Sequence, residues 1–232
     1  MKFKDKIFCA IDFSDLKKSQ EFIKKILNNI GGVKLGLEFF LKNGPEGVKE
    51  IKKMGLPIFL DLKLKDIPNT VKRAAENIID LEPEYLSVHL SGGHSMIKEL
   101  QSVKRNTKIL GVSVLTSLDK SDLKQFGINI DILDYVQNLA HIGINAGIDG
   151  LISSALELKN LKKHIKKDII YVTPGIRLPD EDLNDQKRIL SPGDAVKAGA
   201  SILIIGRSIT KSNNPLETLN KISKNIEESL EY

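Results

Sequence analysis

Asp61, Lys63 and Asp66 set two carboxylates around one ammonium within six residues, directly after the apolar run Pro57-Ile58-Phe59-Leu60. In an extended strand, residues two apart share a face, so Asp61 and Lys63 project together while Leu62 turns the other way. Asp66 follows in the loop. Charge at the mouth of a buried strand is costly to desolvate unless it is compensated, and such groupings recur at functional sites with shifted pKa values. Two readings fit this segment taken alone. One is catalysis; the other is a structural ion pair between Asp61 and Lys63, with Asp66 capping a helix that begins near Pro68.

The elements that must position these groups follow from periodicity. Short β-branched runs at 7–12, 33–37, 58–63, 85–90, 109–116, 150–154, 169–173 and 201–206 alternate with amphipathic stretches, the pattern of successive βα units and a parallel sheet. Ser14 or Asp15 can cap a first helix in which Phe22, Ile23, Ile26, Leu27 and Ile30 keep a helical period until Gly31-Gly32. Further helices are expected at 45–54, 68–80, 96–103, 132–144, 155–165 and 215–230, with a brief one between Pro192 and Gly199. Eight units in 232 residues predict a single-domain (β/α)8 TIM barrel over residues 1–232 rather than an open doubly wound sheet. No Gly-x-Gly-x-x-Gly follows the first strand to support dinucleotide binding.

In a barrel the chemistry gathers at the carboxyl ends of the strands. There the sequence offers Asp12, Lys34, the Asp61–Asp66 segment, His89, Thr116-Ser117, Thr173-Pro174-Gly175-Ile176-Arg177 and Gly206-Arg207-Ser208. The last two, after strands seven and eight, match the usual barrel phosphate site, where backbone N–H groups and guanidinium forks hold an oxyanion. The polar segment 178–190, with Gln186 able to donate to phosphate, reads as a mobile lid. His89, His94, His141 and His164 offer no pair at metal-ligand spacing, and Ser91 lacks a nucleophile-elbow pattern.

Composition narrows the partners. The formal charge of +5 comes from lysines scattered over helix faces, only 5% of residues are aromatic and Trp is absent, which argues against nucleic acid but suits a small anion. Cys9, the sole cysteine, lies in an apolar run and points to a reducing compartment. The N-terminus carries no leader pattern and no stretch approaches a membrane span, so a cytoplasmic protein is expected.

Taken together, Ala10-Ile11-Asp12, Lys34-Leu35-Gly36-Leu37-Glu38, Asp61-Leu62-Lys63 through Asp66-Ile67-Pro68-Asn69-Thr70, Val88-His89 with Ser91-Gly92-Gly93, Val114-Leu115-Thr116-Ser117, Thr173 to Arg177, Asp185-Gln186 and Ile205-Gly206-Arg207 resemble the orotidine 5′-monophosphate decarboxylases in order and across nearly the whole barrel. The Asp-x-Lys-x-x-Asp core alone is shared with sister enzymes of sugar phosphates; its continuation into Ile67-Pro68-Asn69-Thr70 is more specific. The resemblance implies conversion of orotidine 5′-monophosphate to uridine 5′-monophosphate (UMP) in pyrimidine synthesis, without a metal or organic cofactor. It implies that Lys63 protonates the pyrimidine C6 within a charged array of Lys34, Asp61, Lys63 and Asp66, the last from the partner subunit of a homodimer. By the same resemblance Asp12 and Lys34 meet the ribose, Thr116 lies near the pyrimidine, and Thr70 of the partner supports the sugar. Arg177, Gln186, Gly206 and Arg207 surround the phosphate. One departure stands out: Lys65 occupies a position that is commonly histidine in bacterial relatives. Two rivals are compatible with the sequence, a magnesium-dependent sugar-phosphate decarboxylase or aldolase, and a non-catalytic phosphate-binding barrel.

Overall fold

The structure, a computed structural model, describes residues 3–179 and 189–231. Among them eight parallel strands close into a barrel in chain order: β1 Ile7–Ala10, β2 Gly32–Gly36, β3 Ile58–Leu64, β4 Tyr85–His89, β5 Lys108–Val112, β6 Gly150–Ile152, β7 Ile170–Thr173 and β8 Ile202–Ile205. The expected (β/α)8 architecture is met, and each of the eight apolar runs supplies one strand. The helices are α1 Leu16–Ile26, α2 Leu37–Lys52, α3 Pro68–Ile79, α4 His94–Leu100, α5 Lys120–Gln125, α6 Ile132–Ala146, α7 Ala155–His164, α8 Pro192–Lys197, α9 Arg207–Thr210 and α10 Pro215–Leu230. Asp15 is the cap of α1, its carboxylate accepting the Lys18 N–H at 2.7 Å.

The strands are apolar on both faces because both faces are covered. Ile7, Cys9 and Ile11 belong to the layer between strands and helices, where Ile23 and Ile26 meet them. The intervening Phe8 and Ala10 fill the lumen with Phe59, Leu110, Val112, Ile152, Val172, Ile202 and Ile204. Tyr85 lies edge-on to both Phe8 and Phe59, at 5.7 and 6.2 Å between ring centroids. Gly32 makes this plug possible, since a Cβ there would come within 2.3 Å of the Phe8 ring. The lumen is therefore a packed apolar floor, and polar groups can gather only above it.

Several boundaries differ from the sequence pattern. β1 ends at Ala10 and β5 at Val112, so Asp12 and Thr116 stand in loops beyond their strands. β6 has only three residues to pair with, and the Ser113 N–H to Ile152 carbonyl bond of 3.1 Å closes that ladder. α2 begins before Pro45, passing it through a kink at Gly44 whose φ of 58° suits glycine. The polar stretch 118–130 contains α5, started by a capping box between Asp119 and Asp122. α9, a single turn opening at Arg207, was also absent from the sequence pattern.

Most of the expected lid, including Gln186, lies at 180–188, outside the described residues. Its two flanks are joined: Ile176 and Leu190 form a parallel bridge, and the Arg177 N–H donates to the Leu190 carbonyl at 3.1 Å. Among the described residues no helix is long and apolar enough to cross a membrane.

Candidate active site

β2 and β3 carry charge into the mouth of the barrel. Val33 and Leu35 face the helices, which leaves Lys34 inward, in register with Ala10 and Phe59. Its ammonium lies 3.2 Å from Asp12 Oδ1 and 3.7 Å from Asp61 Oδ2. Lys63 Nζ approaches that same Asp61 oxygen at 2.8 Å. Charge thus alternates along Asp12, Lys34, Asp61 and Lys63, so each buried ion has an opposite neighbour. Burial alone would raise the Asp61 carboxyl, but the Lys34 and Lys63 ammonium groups and hydrogen bonds from Lys63 and Ser87 outweigh it. The carboxyl is held below its ordinary range and is ionised at neutral pH.

These groups form one wall of a cleft of about 580 Å³. Ala10, Phe59, Val112, Ile152 and Ile204 make its floor, a low-dielectric surface that strengthens the charge interactions above it. The far rim carries Arg177, Gly206 and Arg207. Arg177 is buried, with Nη1 donating to the Ile176 carbonyl at 2.7 Å. Gly206 admits close approach of the β8–α9 turn to the floor, because a Cβ there would sit 3.3 Å from Ala10 Cβ. The cleft therefore pairs an alternating proton-bearing array with a cationic rim across an apolar base.

The sequence profile of the Orotidine 5'-phosphate decarboxylase / HUMPS family matches residues 5–222. The chain belongs to that family. It is 45% identical over 210 residues to the orotidine 5'-phosphate decarboxylase of Sphingopyxis alaskensis, covering 90% of this chain and 93% of the relative. Identity to the Ehrlichia chaffeensis protein of the same name is 44% over 227 residues, or 97% and 98% of the two chains. The crystal structure of orotidine 5'-phosphate decarboxylase from Lactobacillus acidophilus, 32% identical, superposes with a TM-score of 0.79 over 95% of this chain and 98% of that one.

Of the residues marked in this orotidine 5'-phosphate decarboxylase family sequence, Asp12, Lys34, Asp61, Lys63, Thr116, Arg177, Gly206 and Arg207 all line the one cleft. Asp66 and Thr70 do not; both are exposed at the start of α3. The reading of Asp66 as a helix cap is corrected. Ile67 is the N-cap of α3 and makes no side-chain cap bond, while Asp66 Oδ1 accepts the N–H of Ile67 itself at 2.7 Å. Asp66 stands one position too early, and Pro68 at the first helical position has no N–H to offer.

The shared face of Asp61 and Lys63 is also reached differently than strand periodicity implies. Lys63 has a φ of 50°, so the chain is bulged at that point and the two side chains meet through the bulge. His89 lies beside this wall, its imidazole held neutral by burial and by the Lys65 and Lys63 charges, with Asp61 opposing them. His141 and His164 are exposed on helices. Among the described residues no three His, Cys, Asp or Glu side chains group as a metal site.

Two contributors escaped the sequence reading. Lys211 also lines the cleft, one helical turn beyond Arg207, and only the unanticipated α9 puts the two on one face. Ser87, fully buried on β4, donates to Asp61 Oδ1 at 2.8 Å. A small hydroxyl inside the apolar run Tyr85-Leu86-Ser87-Val88 was the available signal.

Proposed function

We propose that the protein decarboxylates orotidine 5′-monophosphate to UMP and carbon dioxide, working as a single barrel domain in the cytoplasm. The observation that carries this reading is the Lys34–Asp61–Lys63 array standing over an apolar floor, across the cleft from Arg177 and Arg207. With the phosphate on the cationic rim, the pyrimidine lies over the floor and C6 faces Lys63. The bond from C6 to its carboxylate breaks, carbon dioxide leaves, and the electron pair stays on C6 until Lys63 Nζ–H delivers a proton there.

Each group has a distinct part. The ionised Asp61 faces the substrate carboxylate and repels it, a penalty relieved once that charge departs. The Lys63 ammonium favours the developing carbanion electrostatically as well as by proton transfer. Asp12 and Lys34 engage the ribose, and Thr116 lies near the pyrimidine. Arg177, Gly206 and Arg207 hold the phosphate, with Gln186 joining them from the segment after β7. Binding energy from that remote end organises the reacting centre, so its loss lowers the rate as well as the affinity.

The proposal includes a homodimer in which Asp66 and Thr70 complete the partner subunit's site. Both side chains are exposed at the top of α3, and Ile67 beside them is an exposed large apolar residue. No metal takes part in this scheme. Asp61 already lies between two ammonium groups, so a divalent cation at its carboxylate would be repelled by both, which disfavours the magnesium-dependent sugar-phosphate chemistry of sister enzymes.

Following the ultraviolet spectrum of orotidine 5′-monophosphate with purified protein and excess chelator tests this directly. Full conversion to UMP is expected; a protein that leaves the nucleotide intact, or that needs magnesium, would overturn the reading. An Arg207→Ala variant should lose about 10- to 100-fold in kcat/KM, the worth of one charge-assisted hydrogen bond to phosphate. Its activity on a substrate analogue lacking the phosphate should be unchanged, and an equal loss on both would remove Arg207 from the phosphate site.

A further inference from the structure

We propose that Ser87 is a positioning residue for the reaction, holding Lys63 in the backbone conformation that aims its ammonium at Asp61. The inference rests on the reading of Lys63 as the proton donor. β3 and β4 pair regularly at Phe59 with Tyr85 and Leu60 with Leu86, and then again at Leu64 with Val88. Between the last two pairs, four residue steps of β3 are matched by two of β4. The extra residues form a bulge that takes Asp61, Leu62 and Lys63 out of register with β4, while Asp61 stays paired with Gly36 of β2.

Lys63 sits in that bulge with a φ of 50°, in the left-handed region. Among the described residues only Glu82 and Arg105 share this feature outside glycine, and both lie in exposed turns. A left-handed lysine within a strand persists only where its surroundings fix it. Ser87 supplies the fixing contact. The Lys63 backbone N–H, deprived of a ladder carbonyl, donates to Ser87 Oγ at 2.9 Å, while the same hydroxyl donates to Asp61 Oδ1 at 2.8 Å.

One fully buried hydroxyl thus ties the backbone of the lysine to the side chain of the aspartate it must oppose. It also fills the position at which an unpaired buried N–H and a half-satisfied carboxylate would otherwise face each other. Without it, Lys63 can relax to an ordinary extended conformation, and its Nζ then leaves the 2.8 Å contact with Asp61. Misplacement of a reacting group by about 1 Å is enough to cost on the order of 100-fold in rate.

The test compares Ser87→Ala and Ser87→Thr with the wild type, using Ser87→Cys, which keeps the shape with a slightly larger atom and donates weakly, should the alanine protein not fold. Ser87→Ala is expected to lose about 10- to 100-fold in kcat with KM and UMP affinity within about threefold, and Ser87→Thr to recover most of that loss. The crystal structure of Ser87→Ala should show Lys63 at negative φ. A kcat within about twofold of wild type, a parallel loss of UMP affinity, no recovery with threonine, or an unchanged Lys63 backbone would each overturn the proposal. If wild-type protein does not act on orotidine 5′-monophosphate, the functional reading fails by itself, while the Lys63 backbone in the variant still decides what Ser87 does.

Discussion

A Lys63→Ala protein is expected to lose at least about 10⁴-fold in kcat on orotidine 5′-monophosphate while keeping its fold and binding UMP within about tenfold of wild type. Two effects vanish together: the proton donor at C6, and the ammonium that favours negative charge on that carbon. Folding survives because Asp61 keeps two partners, Lys34 Nζ at 3.7 Å and Ser87 Oγ at 2.8 Å. The Lys63 side chain is 32% exposed and lines the cleft, so its truncation opens no cavity in the core.

The pH dependence has a definite sign. The native Asp61 carboxyl is depressed below its unfolded value, so its contribution is present above the ordinary carboxylate pKa and is lost as pH falls through the depressed one. Wild-type activity near neutrality therefore owes no acid limb to Asp61. In Lys63→Ala one of the depressing cations is gone, and the acid limb of stability moves upward. Steady-state kinetics and urea unfolding between about pH 3 and 8 check both statements. A loss below about 100-fold in kcat would place the proton donor elsewhere.

The barrel was legible because its signals are local and repeated. Each strand is a short β-branched run, and Pro215–Leu230 is a helix whose proline and apolar period are both visible in the chain. Chemistry at strand ends follows once the architecture is known, which is why eight marked residues share one cleft. What the sequence hid is set by contacts between distant segments. The bulge at Lys63 depends on a hydroxyl twenty-four residues away in β4, and no pattern within β3 announces it. The early end of β5 reflects the shortness of β6, a property of the neighbour and not of the run itself. The one-turn α9 is too short to show a period, so Lys211 could not be placed beside Arg207.

Asp66 is the residue on which sequence and single-chain geometry part most clearly, and it sets the second large effect. Mixing inactive Lys63→Ala and Asp66→Ala proteins should restore activity to about a quarter of wild type. In its own chain Asp66 is exposed and, among the described residues, its one hydrogen bond is to the neighbouring Ile67 N–H, so it does not extend the Lys34–Asp61–Lys63 array of that chain. If it instead extends the array of a second copy, a hybrid dimer holds one site with both lesions and one with neither. Random exchange makes about half the dimers hybrid, and half of their sites are intact. Native mass spectrometry verifies that hybrids form, and activity is read on the same sample. Hybrids that form and remain inactive would show that Asp66 serves its own subunit, and a loop movement bringing it toward Lys63 would then be required. Recovery near one quarter would mean that the segment from Asp61 to Asp66 is divided between two sites, its first half facing inward and its last residue facing the partner.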